Sequence, residues 1–243
     1  MFLLIKRKSV ILGAIIILSA YSLLSIFYGI KTAAYGGRSN IIVVDAGHGG
    51  VDKGVTGTKT GVKESDLNLK YALLIKEALE KQGFRVILTR VDENGLYEQT
   101  WFSSEMSEES RKARDMKKRK EIILNAKPAC VISVHMNFFE QSAVRGAQVF
   151  YDPLNKQSKE MASSLQARLN ILNEEYAKKT VSSLPGDYYI IKCTDYPSCI
   201  IECGFLSNKE DEELLLDAAY REKLVYEIIN GIIIYLNTVV SGK

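Results

Sequence analysis

The sequence predicts an α/β domain, a doubly wound, mainly parallel twisted sheet flanked by helices. Two observations carry that expectation. Short apolar runs alternate with amphipathic stretches of ten residues or more, the pattern of strands joined by helical crossovers. The chain has 243 residues, 47% hydrophobic and 25% charged, an ordinary globular balance that fills one core and leaves little for a second.

In chain order, Met1–Lys8 is short and basic. Val10–Ile30 then runs without a charge, long enough for the roughly 20 residues that a bilayer span needs. A secretory signal has a shorter apolar stretch of about 7–15 residues, and Thr32-Ala33-Ala34 matches its cleavage pattern poorly. Residues 1–31 therefore read as an uncleaved anchor rather than a cleaved signal. By the positive-inside rule Lys6–Lys8 stay cytoplasmic and everything from residue 31 is exported, to the extracytoplasmic face of a bacterial membrane. A polar linker, 32–40, leads to a single domain over 41–240.

Within that domain Ile41–Asp45 is a buried strand, and Gly47, Gly49, Gly50 and Gly54 follow as loop. Ser65–Gln82 places Leu67, Leu69, Leu73, Leu74, Ala78 and Leu79 on a helical face, with Asp66 in the first turn and Gly83 as the stop. Phe84–Thr89 is β-rich and Val91–Met106 is a long irregular loop. Glu108–Asn125 is a charged helix ending before Pro128, and Ala129–His135 is the next buried strand. Gly146–Tyr151 is a strand, Gln157–Leu172 a helix, and Asn173–Asp187 irregular. Tyr188–Lys192 and Ser198–Glu202 read as strands. Glu210–Asn237 supplies one closing helix or a pair, with Leu224–Val240 assigned to the core rather than to a dimer face, so a monomer is expected.

Charge and cysteines narrow the function. The net charge of +3 resides in Lys6, Arg7 and Lys8, and residues 31–243 hold 29 basic and 29 acidic side chains. A neutral body has no electrostatic footprint for nucleic acid. Cys130, Cys193, Cys199 and Cys203 include no C-x-x-C pair. Cys199 and Cys203, four apart in a strand, stand roughly 13 Å apart, too far for a bridge. The cysteines read as small core residues, with a bridge from Cys193 to Cys199 or Cys130 left open. Gly47-His48-Gly49-Gly50 fits neither phosphate-loop pattern and puts an imidazole where a phosphate needs open backbone, which excludes nucleotide binding.

In open α/β sheets, sites lie at the carboxyl ends of strands. Three such ends stand out: Asp45-Ala46-Gly47-His48-Gly49-Gly50, Ser133-Val134-His135-Met136-Asn137 and Ile201-Glu202-Cys203-Gly204-Phe205. The chain has two histidines, and both are there. Two histidines and a carboxylate, with water in the fourth position, is a common catalytic zinc set. The carboxylates on offer are Asp45, Asp52, Glu64, Asp66 and Glu202. Glu64 opens the first helix just past the glycine loop, where it either reaches a metal or complements the helix dipole. Glu202 lies in an apolar run, where a carboxylate is expensive unless it works. It is either a general base with a raised pKa or the partner of a buried Lys or Arg.

Read together, these segments resemble one family. Ile42–Gly54 (Ile-Val-Val-Asp-Ala-Gly-His-Gly-Gly-Val-Asp-Lys-Gly) is similar to the D-P-G-H-G-G-x-D-x-G opening of the zinc-dependent N-acetylmuramoyl-L-alanine amidases of the "amidase 3" family. Glu64 matches the E that opens that family's first helix, and Leu88-Thr89-Arg90 matches its L-T-R. Arg119 and Asn125 match the R and N of the helix before S-[IV]-H-x-N, here Ser133–Asn137. Gly146–Tyr151 matches G-x-x-x-[FY]-Y, and Ile201–Asn208 matches [VI]-E-x-G-F-L-S-N. The match runs from about 41 to 237. Ala46 replaces a usual Pro and Cys203 a usual Thr, neither at a ligand or catalytic position. The leader, the single domain and the lack of wall-binding repeats are most like the spore-cortex, germination-specific branch of endospore-forming bacteria.

The resemblance implies Zn2+ held by His48, Glu64 and His135, with Glu202 as the catalytic carboxylate. It implies hydrolysis of the amide between the lactyl group of N-acetylmuramic acid and L-alanine in peptidoglycan. In the spore-cortex branch, stem removal precedes muramic-δ-lactam formation. Asn137, Arg90 and Arg119 are expected to be structural, with Arg90 pairing Asp45 or Asp52 or orienting a site carboxylate. The long loops suggest an accessory activating protein. The rivals are a zinc peptidase or carbohydrate deacetylase, a membrane-tethered zinc- or glycan-binding protein with little turnover, and an amidase of vegetative wall remodelling.

Overall fold

The structure, a computed structural model, describes residues 39–97 and 107–241. The expected anchor at 1–31, most of the linker and the second half of the 91–106 loop lie outside the described residues. Among the described residues no helix is long and apolar enough to cross a membrane.

Ile41–Ala46 forms β1 and Glu64–Lys81 forms α1. Arg85–Leu88 is β2, Glu108–Ala126 is α2 and Cys130–Asn137 is β3. Gln148–Tyr151 is β4, and Lys156–Leu172 is α3, which runs on into a π-helical turn at Asn173–Ala177. Leu184–Pro185 is β5, Tyr189–Lys192 is the short helix α4, and Ser198–Phe205 is β6. Lys209–Leu216 is α5 and Ala218–Ser241 is α6. The sheet order is β2-β1-β3-β6-β4-β5. β2, β1, β3 and β6 run parallel, β4 is antiparallel to β6, and β5 is parallel to β4. The expected mainly parallel, doubly wound sheet is therefore present.

Helix ends follow local chemistry. Glu64 and Asp66 place negative charge in the first turn of α1, and Gly83, at φ 89°, follows its end. Ser107, Asn155 and Asn208 cap α2, α3 and α5 by accepting from backbone N–H groups two or three residues on. Asp217 separates α5 from α6 and accepts from the Tyr220 N–H, so the closing segment is a pair.

Two layers cover the sheet. Val43, Val131 and Ile200 point to one face, where Ile123 and Ala126 of α2 and Ile190 and Ile191 of α4 bury them. On the other face α1 and α3 pack against the sheet, and α6 packs against both helices. Leu224, Ile228, Ile232, Tyr235 and Leu236 of α6 are all buried, as expected of a core helix. The cysteines are free, with Cys130, Cys199 and Cys203 buried and Cys193 half-buried.

One expected element is different. Tyr188–Lys192, read as a strand, is the single turn α4. Ile190 and Ile191 are both buried in the same cluster, whereas a strand would send adjacent side chains to opposite faces. A short apolar run does not distinguish the two outcomes by periodicity. The stretch 173–187 also carries more order than expected, in its π turn and β5.

The crossing of α3 and α6 depends on a small residue. A side chain at Gly231 would run into the backbone of Leu165, and the Ser164 hydroxyl donates to the Gly231 carbonyl at 2.9 Å. Gly231→Val should destabilise the protein by about 1–3 kcal/mol through overpacking. A urea unfolding midpoint equal to wild type would show that these helices separate freely.

Candidate metal centre

β1 ends at Ala46, and the next residues are held by charge. Arg119, fully buried on α2, donates through Nη1 to the Asp45 carboxylate (2.5 Å) and the Ala46 carbonyl (2.7 Å), and through Nη2 to the His48 carbonyl (2.6 Å). Its Nε donates to Asp115 at 2.5 Å. Arg90, just past β2, donates to the carbonyls of Ala46, Gly47 and Ser65 at 2.9, 3.0 and 2.7 Å. These bonds satisfy three successive carbonyls around His48, which stands in the left-handed region at φ 59°.

The imidazole of His48 then meets Glu64, the first residue of α1. His48 Nε2 is 3.2 Å from Glu64 Oε1, and His135 Nδ1, from the end of β3, is 2.9 Å from the same oxygen. The two rings stand edge to face, 4.9 Å between centroids. Glycines make the room. A side chain on Gly47 would overlap the His135 ring, and one on Gly54 would overlap the Glu64 carboxylate and the His48 ring. Glu64 is fixed from behind: Oε2 accepts from the Val55 N–H at 2.9 Å, and Oε1 accepts from the Met136 N–H and the Asn68 amide, each at 3.2 Å.

Donor atoms of His48, Glu64 and His135 all lie within 4.8 Å of one another. Two ligands on one tetrahedral zinc, each about 2.0–2.1 Å from it, stand roughly 3.3 Å apart. Two imidazole nitrogens and one carboxylate fit the three-ligand donor set of a catalytic zinc.

Glu202 lies beside this set, on β6 directly across from His135. The ladder slips between the pairs His135·Glu202 and Asn137·Phe205, so β6 carries one extra residue just past Glu202. The side chain is 8% exposed, and its Oε2 has no hydrogen-bond partner. Burial pushes its pKa up to about 7, with the nearby imidazoles pulling against that and Glu64 reinforcing it. Asp45 goes the other way. Burial opposes ionisation there too, but Arg119, Ser133 and Thr89 overcome it and hold the carboxyl at about 2.

The five candidate carboxylates thus separate. Glu64 joins the histidines and Glu202 stands next to them. Asp45 is consumed by Arg119, Asp52 bonds His48 Nδ1 at 2.9 Å, and Asp66 is exposed. The expected pairing of Arg90 with Asp45 or Asp52 is not what the structure shows; Arg119 takes Asp45, and Arg90 binds carbonyls. No lysine or arginine among the described residues forms an ion pair with Glu202. Asn137 uses its side chain on the Phe138 N–H, consistent with a structural role. Sequence reasoning missed Asn68. Its signal was a polar residue on the buried stripe of α1, one turn after Glu64.

The chain matches the family model described as N-acetylmuramoyl-L-alanine amidase over residues 42–234. It is similar to the germination-specific N-acetylmuramoyl-L-alanine amidase of Bacillus subtilis, 32% identical over 80% of this chain and 79% of that protein. It is similar to a protein of Staphylococcus aureus named "Probable cell wall amidase LytH", 30% identical over 82% of this chain and 60% of that one. Among solved structures it resembles the CwlD amidase from Clostridioides difficile, seen in complex with the GerS lipoprotein, at a TM-score of 0.75 and 37% identity over 82% of this chain and 98% of that chain.

Two outcomes follow from this geometry. Arg119→Met leaves Asp45 buried and unpaired and should cost about 3–5 kcal/mol. Adding Asp45→Asn should recover much of it, and strictly additive losses in urea unfolding would refute the pairing. In the metal-free protein the folded state holds the Glu202 proton more tightly than the unfolded chain does. That contribution is complete below pH 4.5 and disappears as pH rises through about 7. Glu202→Gln should match wild type near the lower value and exceed its stability by on the order of 3 kcal/mol above the upper one. A stability difference that does not change over that window would rule out burial as the cause.

Proposed function

This chain belongs to the N-acetylmuramoyl-L-alanine amidase family, and on that footing we propose that it is a zinc hydrolase cutting the amide between the lactyl group of N-acetylmuramic acid and L-alanine of peptidoglycan. The observation that carries the reading is the convergence of His48, Glu64 and His135 on one point beside the unpartnered, buried carboxylate of Glu202.

In this reading His48, Glu64 and His135 are the metal ligands and Glu202 is the catalytic residue. Zinc, when bound, supplies a Lewis acid that polarises the scissile carbonyl and brings the pKa of water down from 15.7 toward about 7. Glu202 Oε2, lacking any partner in the protein, accepts the proton of the attacking water and returns it to the leaving alanine nitrogen. Arg119 and Arg90 act at a distance, holding the loop that carries His48.

The finer role in this proposal is stem removal during spore cortex maturation, ahead of muramic-δ-lactam formation. The likeness to the germination-specific amidase supports it. The likeness to the S. aureus cell wall amidase supports a second reading, vegetative wall remodelling. Residues 1–31 act as a membrane anchor and 32–40 as a linker, so that the domain from 41 to 240 works on the extracytoplasmic face. The CwlD amidase being seen with a lipoprotein supports an accessory protein for this chain as well.

The test is mass spectrometry of the products released from purified peptidoglycan by the zinc-loaded chain. Free stem peptides beginning with L-alanine, together with stem-less muramic acid, are expected. Glu202→Ala should lower turnover by about 10²–10⁴ and keep its zinc, whereas His48→Ala and His135→Ala should lose the metal. Near wild-type turnover by Glu202→Ala would sink its assignment, and intact stems with zinc bound would favour a binding protein.

A further inference from the structure

The two histidines present different nitrogens to Glu64: Nε2 from His48 and Nδ1 from His135. An imidazole that gives one nitrogen to a cation keeps its proton on the other. For His135 that other nitrogen is Nε2, and it lies against Gly47, where a Cβ would collide with the ring. Its orientation comes from contact with the loop and from its place in the β3 ladder. The His48 ring also lies against its loop, at Gly54, but no strand ladder supports it. It sits on a loop, in the left-handed region, at the start of a small hairpin closed by the Gly49 and Asp52 backbones at 2.8 and 3.2 Å. Its free nitrogen, Nδ1, faces Asp52 Oδ2 at 2.9 Å.

Asp52 is itself anchored. Oδ1 accepts from the Gly54 N–H at 3.3 Å, and the Lys112 ammonium on α2 lies 3.5 Å from it. The carboxylate therefore links the hairpin, the turn beneath Glu64 and α2, and aims its remaining oxygen at one ring nitrogen.

Resting on the zinc reading above, we propose that Asp52 is a positioning residue that holds His48 with Nδ1 protonated and Nε2 facing the metal. Carboxylates of this kind orient the ring and raise its basicity, and their loss weakens metal binding by about 10–100-fold.

The test measures zinc affinity of the full chain by competition with a chromophoric chelator, beside the unfolding midpoint of the metal-free protein. Asp52→Ala should bind zinc 10–100-fold more weakly. Asp52→Asn, which keeps an acceptor for the Nδ1 proton, should recover most of that loss. With two histidines in the chain, the ¹⁵N ring spectrum of the zinc-loaded wild type should show one ring bound through Nε2 and the other through Nδ1, each assigned by correlating the ring with its own backbone. Affinity of Asp52→Ala within twofold of wild type, or His48 bound through Nδ1, overturns the proposal. So do equal losses in both Asp52 variants accompanied by a lowered metal-free midpoint, which mark a loop-closing role alone. Zinc binding by wild type no tighter than by His48→Ala overturns instead the metal reading beneath it.

Discussion

Buried guanidinium groups holding the end of β1 are the constraint on which the site depends. Without Arg119 and Arg90, the carbonyls of Ala46 and His48 would lose these donors and that of Gly47 would keep only the Asn68 amide, and buried acceptors without donors are costly. With them, those carbonyls are satisfied and the imidazole of His48 meets Glu64. The left-handed backbone at His48 is the local strain that this arrangement stores. Arg119 can stay buried because Asp45 and Asp115 neutralise it, and Asp45 in turn is satisfied by Thr89 and Ser133. The stability of that cluster and the geometry of the site are one problem.

One functional group, the carboxylate, is set to different tasks by its surroundings. Asp45, held at about 2 by Arg119 and two hydroxyls despite its burial, is a permanent counter-ion. Glu64 is buried as well, yet the imidazoles on both sides keep it well below the ordinary range, so it is an anion ready to ligate. Glu202 has burial without a donor, and its pKa rises to about 7. Charge partners and hydrogen bonds separate the three, since all of them are nearly inaccessible to water. A large separation of pKa values between neighbouring acids is how a site divides ligation from proton transfer.

Much of this was legible in the sequence because strand ends are. A buried strand is an uninterrupted apolar run, so Asp45, His135 and Glu202 declare themselves where each run stops, and two histidines in 243 residues leave few alternatives. Glu64 was legible as a first-turn acid, though its direction was not. The rest depended on distances across the chain. Arg119 is 74 residues from Asp45, and nothing local distinguishes it from the surface lysines and arginines around it on α2. Asn68 resembles a polar interruption until α1 is seen against the Gly47 carbonyl. The segment 188–192 failed for another reason: two adjacent isoleucines suit a strand or a helical turn, and packing against α2 made the choice.

The glycines complete the argument, and they do so by volume. A metal-binding cluster needs several polar side chains within a few ångströms, which a protein interior packed near crystalline density resists. Gly47 gives its side-chain space to the His135 ring, and Gly54 gives its own to Glu64 and His48. The extra residue of β6 shifts the ladder immediately after Glu202, so Phe205 rather than Gly204 faces Asn137. Space at Gly47 and Gly54, strain at His48 and charge at Arg119 are therefore coupled. Filling the space would displace a ring, and removing the charge would release the strain. The glycine loop, which fits neither phosphate-cradle pattern, is shaped to admit two imidazoles and a carboxylate.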